Sequence, residues 1–92
     1  MSDHAYRGIY YDEPPVQAAF EQLVQRIRNA EQARVPIAER HRKAERAMEE
    51  GTISDAQFRP IDAEYIAANN AIAAAQRAVD DFLRANHNYR TR

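Results

Sequence analysis

The sequence has no cysteine and no tryptophan, and only two of its 92 residues are glycine. A chain without cysteine has neither disulfide cross-links nor thiolate metal ligands, which fits a reducing compartment. Its longest apolar run, residues 71–75, is far shorter than a membrane span, and its first residues lack the charged-then-apolar order of a signal peptide. We therefore expect a cytoplasmic protein, or one assembled into a particle from the cytoplasm.

The sequence also lacks an excess of either charge, with 13 Lys+Arg against 14 Asp+Glu. Nucleic-acid binders usually carry a basic surplus, and here the basic residues of the first half alternate with glutamates. A solvated, salt-bridged helix face is the better interpretation of that alternation. We expect neither a nucleic-acid ligand nor a membrane partner.

Motifs that carry chemistry are missing as well. The sequence has no glycine-rich phosphate loop, no His-Glu-x-x-His, no calcium loop and no nucleophile elbow. Its histidines, His4, His41 and His87, are far apart in the chain. We expect no catalysis, no cofactor, no metal site and no small-molecule substrate.

What the sequence does contain is helical periodicity. Asp12, Glu13, Pro14 and Pro15 are typical of a helix start, with acidic residues at the amino end and proline in the first turn. Seam positions, those that would face a partner helix, then recur at steps of four and three. They are Val16, Phe20, Leu23, Ile27, Ala30, Arg34, Ile37, His41, Ala44 and Met48.

Pro36 interrupts this pattern. Proline removes one helix hydrogen bond and crowds the preceding turn, so it either bends the helix or ends it. The seam keeps its phase across Pro36, which favours a bend. The alternative is a helix that stops near Val35, giving three helices in all.

Gly51 and Ser54 mark a turn between two helices. Gly51 suits the left-handed position after a helix, and Ser54 with Gln57 forms a capping box for the next one. A second seam follows it, made of Phe58, Ile61, Tyr65, Ala68, Ile72, Ala75, Val79 and Phe82. Two helices of similar length joined by a short turn predict an antiparallel hairpin.

The predicted fold is therefore all-α, a long antiparallel two-helix hairpin that we expect to self-associate into a bundle. Residues 1–13 form an irregular amino-terminal tail and residues 14–86 the hairpin, with helices at about 14–50 and 54–86. Residues 87–92 form a basic carboxyl-terminal tail.

Polar residues in the seam need partners. The turn position places His41 opposite Tyr65, and Arg34 near Ile72 and Asn69. We interpret His41 as a core histidine that is satisfied by hydrogen bonding to the tyrosine hydroxyl. Arg34 either specifies the register of the helices or extends its guanidinium to solvent.

The second helix carries more apolar surface than one partner helix covers. We predict a self-association or docking face there, made of Ile66, Ala67, Ala71, Ala74 and Ala78. The alternative is that these alanines are only good helix formers that tolerate exposure.

Tyrosine and arginine collect at both ends of the chain, which a hairpin brings together. These residue types are enriched at protein interfaces. We predict a partner-binding site made of Tyr6, Arg7, Tyr10, Tyr11, Arg84, Tyr89, Arg90 and Arg92. In the alternative, the amino tail folds back and Tyr10 and Tyr11 cover Phe20 and Phe82.

These features favour a non-enzymatic protein–protein interaction module, a small assembly or adaptor subunit of a larger complex such as a phage particle. The first alternative is a small helical inhibitor that blocks a larger enzyme or a host-defence complex. The second alternative is a nucleic-acid-binding accessory protein.

Overall fold

The computed structural model, which describes residues 6–92, is an antiparallel hairpin of two long helices. A short strand, β1 (Ile9–Tyr10), precedes α1 (Pro14–Glu49), and α2 (Asp55–Ala85) precedes a second short strand, β2 (Arg90–Thr91). The predicted all-α hairpin is confirmed, and the predicted helix ends agree to within one residue. The predicted amino-terminal tail, residues 1–13, lies partly outside the described residues.

The helix α1 begins and continues as its sequence suggests. Proline occupies its first positions, where the missing N–H would have no partner in any case. α1 runs through Pro36 as one helix of 36 residues, so the three-helix alternative is wrong. The bend at Pro36 stays a prediction.

The turn between the helices uses the local chemistry that the sequence indicates. Gly51 has a φ of 72°, the left-handed conformation in which a Cβ would be strained. The amide of Thr52 donates to the carbonyl of Ala47 at 2.8 Å, and that of Gly51 to Met48 at 3.1 Å, which closes α1. The Ser54–Gln57 capping box then starts α2, as predicted.

The hairpin is only two helices thick, measuring 57 × 20 × 16 Å. Each helix therefore has one helical neighbour and buries one stripe. The buried apolar cluster lies toward the open end, away from the turn, and consists of Tyr11, Phe20, Ile27, Ala75 and Val79. Nearer the turn, His41 and Ala44 are the buried residues of α1.

The two strands close the open end. β1 and β2 pair antiparallel, with Ile9 opposite Thr91 and Tyr10 opposite Arg90. The amide of Arg92 adds a hydrogen bond of 2.9 Å to the carbonyl of Gly8. This ladder was not predicted, because two-residue strands carry no periodicity that a sequence pattern could show.

Neither α1 nor α2 combines the length and apolar character that crossing a membrane requires.

Candidate protein-binding surfaces

The open end of the hairpin is organised around the ring of Tyr11. This ring is 5% exposed and packs edge-to-face on Phe20 and Phe82, with centroids 5.6 Å away in both cases. Its hydroxyl donates to the carbonyl of Asn86 at 2.6 Å. Burial, and secondarily the neighbouring Tyr89, raise the pKa of the Tyr11 phenol. The alternative in which the amino segment folds back is thus what the structure shows for Tyr11.

Other residues of the predicted partner-binding site make contacts between the two tails. Arg90 donates to a carboxylate oxygen of Asp12 at 2.6 Å, and the guanidinium of Arg92 lies over the Tyr10 ring, 5.0 Å from its centroid. The Asp12 carboxylate raises the pKa of the exposed Arg90 guanidinium. The two tails therefore form one ordered surface.

Tyr6 ties the amino segment to α2. Its hydroxyl donates to a carboxylate oxygen of Asp80 at 2.9 Å. Burial, then the hydrogen bond and charge of Asp80, raise the pKa of Tyr6 to about 12, because each disfavours a phenolate at this position.

The surface left open at this end is smaller than predicted. Arg7 and Arg84 are exposed, Arg84 forming an ion pair with Asp81, and Tyr89 is 37% exposed. Beside them, residues 6–9 and the first four turns of α1 enclose a groove of about 440 Å³. The structure thus brings all eight predicted residues to one end, but it places Tyr11 inside the core.

Near the middle of the hairpin, His41 stacks on Tyr65, with ring centroids 4.1 Å apart and planes at 18°. This confirms that the two residues face each other. The expected hydrogen bond between them is wrong: His41 Nε2 lies 2.8 Å from Asp62, and the Tyr65 hydroxyl accepts from Arg34 at 2.9 Å. Asp62 follows the seam residue Ile61 by one position, so its carboxylate approaches His41 from the edge of the interface between the helices.

Arg34 stays in the hairpin instead of extending to solvent. Its guanidinium carbon lies 5.3 Å from the Tyr65 ring centroid, and its Nε is a buried atom without a hydrogen-bond partner. The expected position of Arg34 near Ile72 and Asn69 stays a prediction, but its guanidinium is directed to Tyr65. This fits the predicted role in fixing the register of the helices.

The predicted docking face on α2 separates into two sides. Ala67, Ala71, Ala74 and Ala78 repeat at steps of four and three, so they share one side of the helix. Ile66 precedes Ala67 by one residue and is turned from it by about 100°. The five residues therefore do not form one face, because helix geometry places Ile66 on the opposite side of the hairpin.

The alanine side, as we call it, continues onto α1. The ion pair between Arg40 and Glu64 bridges the helices on this side. One turn from it lie Pro36 on α1 and Ala67 on α2, both exposed. Small residues of both helices thus form a flat, apolar strip that another backbone can approach closely. Its alanines are Ala33, Ala67, Ala71, Ala74 and Ala78.

Residues 6–92 contain no group of three or more histidine, aspartate or glutamate side chains placed to hold a metal ion. Comparison of the chain with protein-family models, with curated proteins and with solved structures finds no match.

Proposed function

We propose that this protein is a non-enzymatic interaction module, a small assembly or adaptor subunit that binds a helix of a larger partner through its alanine side. The observation that carries the proposal is the alanine side itself. Ala67 and Ala71 are exposed in a hairpin only two helices thick, so a third helix can be added without displacing any part of the fold.

The charges beside this strip suggest the chemistry of the partner. On α1 the same side carries Arg26, Arg40 and Lys43, each one residue before a seam position, and this row of α1 has no acidic residue. Within the chain, Arg40 already pairs with Glu64, and Lys43 lies 3.8 Å from Glu39. A partner helix with small apolar residues on one face and carboxylates along its edge would complement this arrangement. The open end, with Arg7, Arg84 and Tyr89 at its surface, would contact the body of the partner.

Photocrosslinking tests the proposal at single positions. A crosslinking amino acid at Ala71 in the full chain, expressed in cells of the source organism, should join the protein to one foreign polypeptide. The matched control is Arg77, which is also exposed on α2 but lies on the outer face, away from α1. Equal products at Ala71 and Arg77, or none at Ala71, would contradict the proposal.

The captured complex also separates the alternatives. An assembly subunit appears in several symmetric copies, whereas an inhibitor binds one or two copies per enzyme. If the captured partner were nucleic acid, its affinity would fall steeply as salt rises.

A further inference from the structure

The side of the hairpin opposite the alanine side carries the two most exposed large apolar residues of the helices. Val35 is 65% exposed and Ile66 is 51% exposed. Each follows a seam residue by one position, and those seam residues, Arg34 and Tyr65, hydrogen-bond to each other. In antiparallel helices a step of one residue turns both chains toward the same side. Val35 and Ile66 therefore lie on one common surface, which we call the Val35 side.

The row of α1 on the Val35 side has a symmetric pattern of charge and apolar character about its midpoint. It comprises the residues that follow successive seam positions, namely Arg28, Glu31, Val35, Ala38, Arg42 and Glu45. Taken about the midpoint between residues 36 and 37, Arg28 is as far from the centre as Glu45. Glu31 likewise matches Arg42, and Val35 matches Ala38. Reversing the row therefore pairs each charge with its opposite and each apolar residue with another.

Ile66 lies near the same midpoint on α2. The contact of His41 with Asp62 and the ion pair of Arg40 with Glu64 set the level of the two helices. They place Ile66 beside residues 37 and 38 of α1. A two-fold axis through the midpoint would bring Ile66 close to its own copy, while Asp62 would lie at the level of residues 71–73 of the second copy. No acidic residue of this α2 row then faces another.

We infer that two copies of this chain pack antiparallel through the Val35 side. Val35 and Ile66 form the centre of the contact, and Arg28 of each copy meets Glu45 of the other. Glu31 of each copy likewise meets Arg42 of the other, so these charge contacts all lie between the two α1 helices. All four charged residues of this row also have interactions within one copy. Glu45 lies 3.3 Å from His41 and Arg42 lies 3.8 Å from Glu39, and Arg28 and Glu31 have interactions as well. The pairing between copies shares these charges and does not require any of them to be without a partner.

The size of the contact sets the expected affinity. The row from Arg28 to Glu45 is about 25 Å long at the helical rise, and the surface is two helices wide. It would bury on the order of 500–700 Å² per copy, the lower end of stable interfaces. Interfaces of this size are typical of weak complexes, so we expect a dimer with a dissociation constant of roughly 1–100 μM. The inference goes beyond the proposed function, since it uses the other side and leaves the alanine side open.

The mass of the full chain, measured by sedimentation equilibrium across a concentration series, is the first test. The wild-type protein should form dimers, and Val35→Asp should raise the dissociation constant at least about twentyfold, because a charge would be buried at the centre. Ala71→Asp on the alanine side is the matched control and should leave the constant unchanged. Helix content from circular dichroism checks that each variant folds.

The charge pairs test the antiparallel arrangement. Arg28→Glu and Glu45→Arg should each weaken the dimer about fivefold or more, because two copies of the pair are lost. The double variant should return to within about threefold of wild type. A wild-type monomer at about 0.5 mM, or a dimer that Ala71→Asp breaks, would overturn the inference. A double variant that is not restored would overturn the antiparallel arrangement. None of these results bears on crosslinking at Ala71, which tests the proposed function separately.

Discussion

Replacing Tyr11 by alanine would remove the ring that joins the amino segment to both helices. The ring is 5% exposed and contacts Phe20, Phe82 and Tyr89. A buried aromatic side chain covers about 150–250 Å², which at 25 cal/mol/Å² corresponds to an upper bound of about 4–6 kcal/mol. Aromatic-to-alanine changes in protein cores cost about 3–5 kcal/mol. We expect Tyr11→Ala to lower the free energy of unfolding by about 3–5 kcal/mol.

Two further variants measure the contribution of the Tyr11 hydroxyl and provide a control at a neighbouring, exposed tyrosine. Tyr11→Phe keeps the ring and removes only the bond to the Asn86 carbonyl, so it should cost about 0.5–1.5 kcal/mol. Tyr89→Ala is the control, because Tyr89 contacts the same ring but is 37% exposed. It should cost less than half of what Tyr11→Ala does.

Urea unfolding followed by far-ultraviolet circular dichroism measures all three variants, with linear extrapolation to water. One low protein concentration should be used throughout, because self-association would add to the apparent stability. A loss below about 1 kcal/mol for Tyr11→Ala would contradict this prediction, because removing a buried aromatic ring destabilises a core by several kcal/mol. A loss no larger than that of Tyr89→Ala would refute it as well.

Two further predictions concern the capping box and the amino segment. Ser54→Ala removes the hydroxyl that accepts from the Gln57 amide at 3.2 Å and should lower the free energy of unfolding by about 1 kcal/mol; unchanged urea unfolding would mean that this cap is not stabilising α2. Because folding raises the pKa of Tyr6 from 10.0 to about 12, its contribution to stability is complete below pH 10 and is lost as the pH rises to about 12. The difference in unfolding free energy between wild type and Tyr6→Phe should shrink across that window, and a Tyr6 phenolate absorbance that appears near pH 10 would contradict the contact with Asp80.

The hairpin could be predicted because its determinants are local. The seams of α1 and α2 are read from spacing alone, and Gly51 with the Ser54–Gln57 box fixes where one helix ends and the next begins. Once the turn is placed, antiparallel geometry puts His41 against Tyr65. Each step uses residues that are close in sequence or related by a simple symmetry.

The hydrogen-bond partners could not be predicted in the same way. Asp62 and Arg34 reach His41 and Tyr65 through flexible side chains, and the choice between them depends on rotamers and not on residue spacing. The open end raises a different difficulty. Tyr11 meets the Asn86 carbonyl across 75 positions of sequence, and no local pattern distinguishes a tyrosine that folds inward from one that faces a partner.

One residue of sequence separates the two sides of the hairpin on α2. Ile66 and Ala67 are neighbours in sequence and both are exposed, so a count of apolar residues groups them. The step of about 100° per residue separates them, and the position of α1 then decides which side each one joins. The cross-helix contacts of Arg40 with Glu64, and of His41 with Asp62, agree with this assignment in the folded protein.

The pairing of β1 with β2 determines how the molecule would respond to mechanical load. Gly8 and Arg92 leave the ladder at the same end, joined by one hydrogen bond. A force that separates them would break that bond first, then the pairs at Ile9 and Tyr10, and would afterwards peel α2 from α1 toward Gly51. Since the bonds are loaded one after another and not together, the protein should open at low force when it is pulled by these ends. A pull across the long axis from the Gly51 turn would instead act on the whole seam at once.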